Sequence, residues 1–233
     1  MPEHARRIKI RRKALRQPDE FHTLTSQALT WLDTHRELAA GIALAALVAA
    51  AGVLAISQYR ASQMGRAAES FRAAQATFDA RRFADAASAF QELSETYPRT
   101  PSGRLAGLYR AHALARQGDA AGAATAYSEY LAGQPVADYL RQEALDGLAH
   151  ARENNGDAAG ALEAYTQAAA LEGPYRREAL LGEARLQEAG GQGDAAREIY
   201  ARLLKESDPD PELRTLLLSK LPPGTEAPPA AHP

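Results

Sequence analysis

Two hydrophobic patterns divide the chain. From Leu38 to Ile56, nineteen residues run without a charge, Pro, Asn or Gln. A helix of that length spans roughly 28 Å at about 1.5 Å per residue, close to the hydrocarbon thickness of a bilayer. It is apolar on every side, whereas a soluble helix keeps a polar face. Eight of the nineteen are Leu, Ile or Val, and Ala supplies most of the rest. The stretch is too long for the core of a cleaved signal peptide and begins too far from the N-terminus. It predicts a transmembrane helix over 38–57, with Trp31 and Tyr59 near its two ends, as interfacial aromatics. Beyond it, charged residues interrupt the apolar ones. Ala is frequent there and β-branched runs are few, which predicts helices.

The flanks set an orientation. Residues 1–37 carry Arg6, Arg7, Lys9, Arg11, Arg12, Lys13, Arg16 and Arg36 against five acids. The twenty residues after the span carry only Arg60, Arg66 and Arg72. Basic segments stay in the cytoplasm, so the N-terminus is expected inside and the C-terminal region outside. Within the tail, Gln17-Pro18-Asp19-Glu20 reads as a helix start. Phe21, Leu24, Ala28 and Leu32 follow at helical spacing, which predicts a short amphipathic helix.

The region after the span repeats itself. Gly118-Asp119-Ala120-Ala121-Gly122-Ala123 returns as Gly156-Asp157-Ala158-Ala159-Gly160-Ala161, and again, shorter, as Gly193-Asp194-Ala195-Ala196. A weaker first copy is Arg82-Phe83-Ala84-Asp85-Ala86-Ala87. Each copy leads to an aromatic residue: Phe90, Tyr127, Tyr165 and Tyr200. Four residues before each aromatic stands Ala86, Ala123, Ala161 or Ala196, and eight or nine after it Pro98, Pro135, Pro174 or Pro209. The small residue allows close helix approach, the aromatic fills the space toward the next unit, and Pro ends the second helix. Gly-Asp marks the turn between helices, with Asp as cap. Ala74, Ala111, Ala149 and Ala184 are the matching small residues of the first helices. This is the tetratricopeptide pattern of stacked helix pairs.

The expected fold is therefore all-α: one N-terminal transmembrane helix, then a tetratricopeptide-type α-solenoid of about four helix pairs plus a capping helix. The boundaries are 1–37 for a basic tail with its short helix, 38–57 for the span, 58–221 for the solenoid and 222–233 for a Pro-rich disordered tail. The absence of Pro from Ser57 to Ala80 predicts that the membrane helix continues into the first repeat. Asp210 and Pro211 open the capping helix, with Leu213, Leu216, Leu217 and Leu221 on its inner face.

A basic tail, one span and an outward-facing repeat domain together resemble the YfgM-like ancillary subunits of the Sec translocon, also called a tetratricopeptide-repeat-like family. The resemblance is sharpest at Thr96-Tyr97-Pro98-Arg99-Thr100-Pro101-Ser102, and at Gly193 to Tyr200 followed by Pro211 to Leu221. It implies a single-pass inner-membrane protein whose partners are the translocon and periplasmic chaperones. The longer N-terminal tail departs from that layout.

Composition and motifs narrow the chemistry. The part after the span has 19 Lys and Arg against 24 Asp and Glu, a poor match for nucleic acid. There is no Cys, hence no disulfide and no thiolate site. No phosphate loop, nucleophile elbow or His-Glu-x-x-His occurs. His112 and His150 occupy one repeat position twice, which explains them without a metal. No enzyme activity, cofactor or small-molecule substrate is expected. The expected function is a membrane-anchored protein-binding scaffold that assists handover or folding of exported proteins. The alternatives are a scaffold for another envelope assembly (secretion, cell division or outer-membrane biogenesis) or an inward-signalling regulator. The first helices line the groove of such a stack, so the candidate binding residues are Phe71, Gln75, Phe78, Leu108, His112, Asp146, His150, Leu181 and Arg185.

Overall fold

A computed structural model describes residues 29–133, 135–206 and 211–223. Residues 29–34 are helical, and nine longer helices follow among the described residues. These are α1 (Arg36–Asp79), α2 (Phe83–Thr96), α3 (Pro101–Gln117), α4 (Ala120–Ala132), α5 (Asp138–Asn154), α6 (Ala158–Ala169), α7 (Arg176–Ala189), α8 (Gly193–Glu206) and α9 (Pro211–Ser219). No strand occurs among the described residues. The expected amphipathic start at Phe21, the cap at Asp210 and the tail from Gly224 lie outside them.

Two compact units divide at Arg60 and Ala61. In the first, α1 holds an eighteen-residue window of mean hydropathy 2.5, none of it buried. Leu47, Val48, Val53 and Leu54 are each more than 60 % exposed. By length and composition this helix can cross a membrane.

In the second unit the expected helix pairs form. All eight small residues are buried: Ala74, Ala111, Ala149 and Ala184 on the first helices, and Ala86, Ala123, Ala161 and Ala196 on the second. Each helix from α2 to α9 packs on its neighbours in sequence, and α3 also meets α5, as α5 meets α7. Contact between alternate helices is what makes such a stack quasi-one-dimensional. Phe90 and Tyr165 are fully buried, and Tyr127 and Tyr200 nearly so.

The turn between the paired helices corrects the expected phasing of the last unit. Gly118 and Gly156 adopt φ of 88° and 81°, the left-handed conformation that Gly reaches without a Cβ penalty. In the last unit Gly191, not Gly193, takes that conformation, at φ 81°. In the first unit it is Arg81, at φ 59°. Arg81, Gly118, Gly156 and Gly191 each stand nine residues before the unit's aromatic, so the turn keeps strict register throughout. Asp119 and Asp157 accept hydrogen bonds at 2.9 Å from the N–H of Gly122 and Gly160, as caps should. Asp194 instead lies inside the first turn of α8 and pairs with Arg197. The capping helix also departs in detail. Leu217 is fully buried and Leu213, Leu218 and Leu221 pack beside it, while Leu216 is 47 % exposed.

Two side chains tie loops to this frame. Thr100 caps α3 by accepting from Gly103 N–H at 3.0 Å, with Pro101 in the first turn. Gln142 on α5 is fully buried. Its amide donates to the carbonyls of Ala168 and Leu171 at 3.2 and 2.7 Å, and its oxygen accepts from Tyr175 N–H at 3.2 Å.

Candidate protein-binding groove

The first helices carry the candidate residues, and the structure sorts them. Phe71 and Phe78 are half-buried and aromatic-packed. Phe71 meets Phe90 and Tyr109 at ring separations of 5.4 and 5.0 Å, and Phe78 meets Phe83 at 5.3 Å. Gln75 is half-buried on the same helix. Leu108 is fully buried and packs in the core. Its apolar side points into the stack because it falls three residues before Ala111, on the packing stripe of α3. Asp146 is also largely buried, at 9 %.

His150, Leu181 and Arg185 come together. They line a cavity of about 450 Å³ with Glu178, Glu188, Tyr200, Leu216 and Lys220. A second cavity, of about 500 Å³, lies toward the N-terminal ends of α3 and α5. Arg104, Leu105, Tyr109, Tyr130, Tyr139 and Glu143 line it, and the candidate residue Leu108 contributes to its wall. Tyr139 is 59 % exposed there, a large apolar ring left open to solvent. Phe71, Gln75 and Phe78 line neither cavity.

The polar groups of the groove form a repeated unit, of which the sequence reading named only His150 and Arg185. The Tyr165 hydroxyl donates to Glu153 Oε2 at 3.2 Å and lies 2.9 Å from His150 Nδ1. Arg185 grips the same Glu153 carboxylate with both Nη atoms, one at 2.8 Å. One unit on, Tyr200 donates to Glu188 at 3.3 Å, and Lys220 Nζ donates to both Glu188 oxygens at 3.0 and 2.8 Å. The three roles recur at a constant 35-residue interval, so the spacing was available in the sequence. Hydrogen bonding from Arg185 holds the Glu153 carboxyl below its ordinary range, and hydrogen bonding from Lys220 does the same for Glu188. Burial, then Glu153, pushes the Tyr165 phenol up, so it stays a donor.

His112 and His150 do not form a common site. His112 Nε2 faces Glu143 at 3.5 Å, and His150 Nε2 faces Asp146 at 3.7 Å. Burial, with a smaller contribution from Arg116, lowers the His112 pKa to about 4. Burial raises the carboxyls of Glu143 and Asp146. Among the described residues no group of three or more His, Asp or Glu could hold a metal ion.

Comparison with known proteins agrees with this architecture. Crystal structures of TPR-like repeats from a candidate kinesin light chain of Podosopora anserina, and of a single-substitution variant of it, superpose with a TM-score of 0.53 at 19 % identity. Each match covers 67 % of this chain and 83 % of the other. That likeness concerns the fold. Among curated proteins no relative matches. A family profile described as tetratricopeptide repeat-like domain matches residues 30–222. Such domains are protein–protein interaction scaffolds, and by that match the chain belongs to the tetratricopeptide repeat-like domain family.

Proposed function

We propose that this chain is a single-pass inner-membrane scaffold whose repeat domain stands in the periplasm and binds segments of exported proteins near the translocon. The observation that carries the reading is the pairing of two features in one chain. One is a helix whose apolar window is wholly exposed. The other is a repeat domain whose cavities mix apolar and charged walls. The first needs lipid to cover it, because apolar surface of that extent is not left in water. The second suits an extended, chemically mixed polypeptide better than a compact ligand. The resemblance to YfgM-like translocon subunits supports the specific setting.

Two measurements test it. A C-terminal reporter active only outside the cytoplasm should be active, and protease added to spheroplasts should degrade the repeat domain. Photocrosslinkers placed at Tyr139, Leu181 and Leu216 should then capture translocon subunits, chaperones or nascent exported chains in cells. A protease-protected repeat domain overturns the orientation. Capture of only cell-division or outer-membrane assembly proteins moves the scaffold to another machine.

A further inference from the structure

The cavity of about 500 Å³ toward the N-terminal ends of α3 and α5 has tyrosine walls around the Glu143 carboxylate. Tyr139 and Glu143 stand one turn apart on α5, Arg104 and Tyr109 line the cavity from α3, and Tyr130 lines it from α4. Two of the rings are held in place. Tyr109 packs on Phe71 and on His112, at ring separations of 5.0 and 5.7 Å. Tyr130 lies on Gly107 of α3, where an added Cβ would come within 3.3 Å of its Cδ2. Tyr139 is the open wall, since most of its ring faces solvent.

The charge around this cavity is negative. Glu143 faces His112 Nε2 at 3.5 Å, but burial keeps that imidazole neutral at pH 7, its pKa lying at about 4. A neutral ring leaves the carboxylate's charge uncompensated. That charge acts on the phenols of Tyr127, Tyr130 and Tyr175, and Asp146 and Glu178 add theirs at Tyr175. Asp146 Oδ1 is itself buried without a hydrogen-bond partner. Arg104 opposes a second cation here. It is exposed, however, so water screens it, and its effect on Tyr130 is smaller than that of Glu143.

We propose that this cavity takes the guanidinium of an Arg side chain from a bound partner segment, stacked on the tyrosine rings and paired with Glu143. A guanidinium is planar and weakly hydrated, so it stacks on aromatic faces and presents two N–H groups to one carboxylate. Charge-assisted hydrogen bonds to a partly buried carboxylate are among the stronger polar contacts available, so the cavity selects a cation over a neutral group of the same shape. This rests on the repeat domain being a protein-binding surface and adds the chemistry of one anchor to it. Crosslinks from Leu181 and Leu216, which line the other cavity, can form while this anchor fails, so the two ideas are separable.

The test uses the full chain in lipid nanodiscs with ring-labelled tyrosine, and Tyr139→Phe and Tyr130→Phe to assign the two signals. N-acetyl-arginine methylamide is titrated against its citrulline counterpart, which keeps the shape and lacks the charge. The Arg probe should give saturable shifts at Tyr130 and Tyr139, with the citrulline probe weaker by about tenfold or more. Glu143→Gln should weaken the Arg probe by a similar factor, whereas Arg104→Gln should leave it unchanged or tighten it. Tyr139→Ala, at a ring already open to solvent, should also weaken it, read at Tyr130, and serves as the second variant should Glu143→Gln not fold. Equal responses to the two probes, no saturable shift, an unchanged titration in Glu143→Gln or Tyr139→Ala, or a weaker one in Arg104→Gln would each overturn the proposal.

Discussion

Replacing Gly182 by Ala separates tertiary packing from helix propensity, because the two predict opposite signs. In a solvated helix interior the change favours folding by about 1 kcal/mol. At Gly182 the new Cβ would lie 2.6 Å from Cε1 and Cζ of Tyr165 and 2.8 Å from Cε2. Carbon atoms pack at about 3.5–4.0 Å, so the ring must retreat by roughly 1 Å. A ring end is normally free to yield. This one is fully buried, and its hydroxyl is fixed by His150 and Glu153. Overpacking costs about 1–3 kcal/mol, and weakening the hydroxyl's contacts adds about 1 kcal/mol. After the propensity gain is subtracted, the net is about 1–3 kcal/mol of destabilisation. For a domain of this size that lowers Tm by roughly 3–10 °C. Thermal unfolding of the full chain in detergent, followed by circular dichroism, measures it. Gly65→Ala is the control, since a Cβ there meets nothing within 4 Å, and it should melt no lower than the parent. If Gly182→Ala melts at or above the parent, Tyr165 is not the wedge between α6 and α7 described here.

Two further predictions concern stability. Gln142→Leu removes three hydrogen bonds and leaves the Tyr175 N–H and the Leu171 carbonyl without that partner, while the Ala168 carbonyl keeps the Leu171 N–H, so it should cost about 3 kcal/mol; denaturant midpoints check this, and an unchanged midpoint refutes the strap. His112 titrates near pH 4 when folded and at 6.5 when unfolded. Between those values the unfolded chain binds more protons, so stability should fall as pH drops from about 6.5 to about 4, by at most on the order of 3 kcal/mol. His112→Phe should remove that part of the slope; an identical slope in the variant means that other groups dominate.

Much of this protein was legible in its sequence, and the reason is physical. A nineteen-residue run without a polar group is legible because no packing arrangement is needed to interpret it. The helix pairs are legible because Ala149, Tyr165 and Pro174 each do one job at one spacing, and repetition separates that job from chance. Even the Tyr–Glu–cation latch could have been found by extending the period to Glu153, Glu188, Arg185 and Lys220. The turn before α8 was misplaced because Gly193-Asp194 copies the words of the earlier turns two residues late. Only backbone geometry shows that Gly191 takes the left-handed conformation.

Side-chain direction was the main limit. Position along a first helix does not say which way a residue points once neighbours on both sides compete for it. Leu216 thus went to solvent, against expectation, while Leu108 packs in the core and also contributes to a cavity wall. Gln142 carried no signal at all, because its three partners are backbone groups 26 to 33 residues away. The periodicity of small and aromatic residues determined that the chain would stack helix pairs, since that is a local steric requirement repeated. Which polar groups would meet loop backbone far along the chain, as Gln142 does, depended on distances across the stack that only the tertiary structure sets.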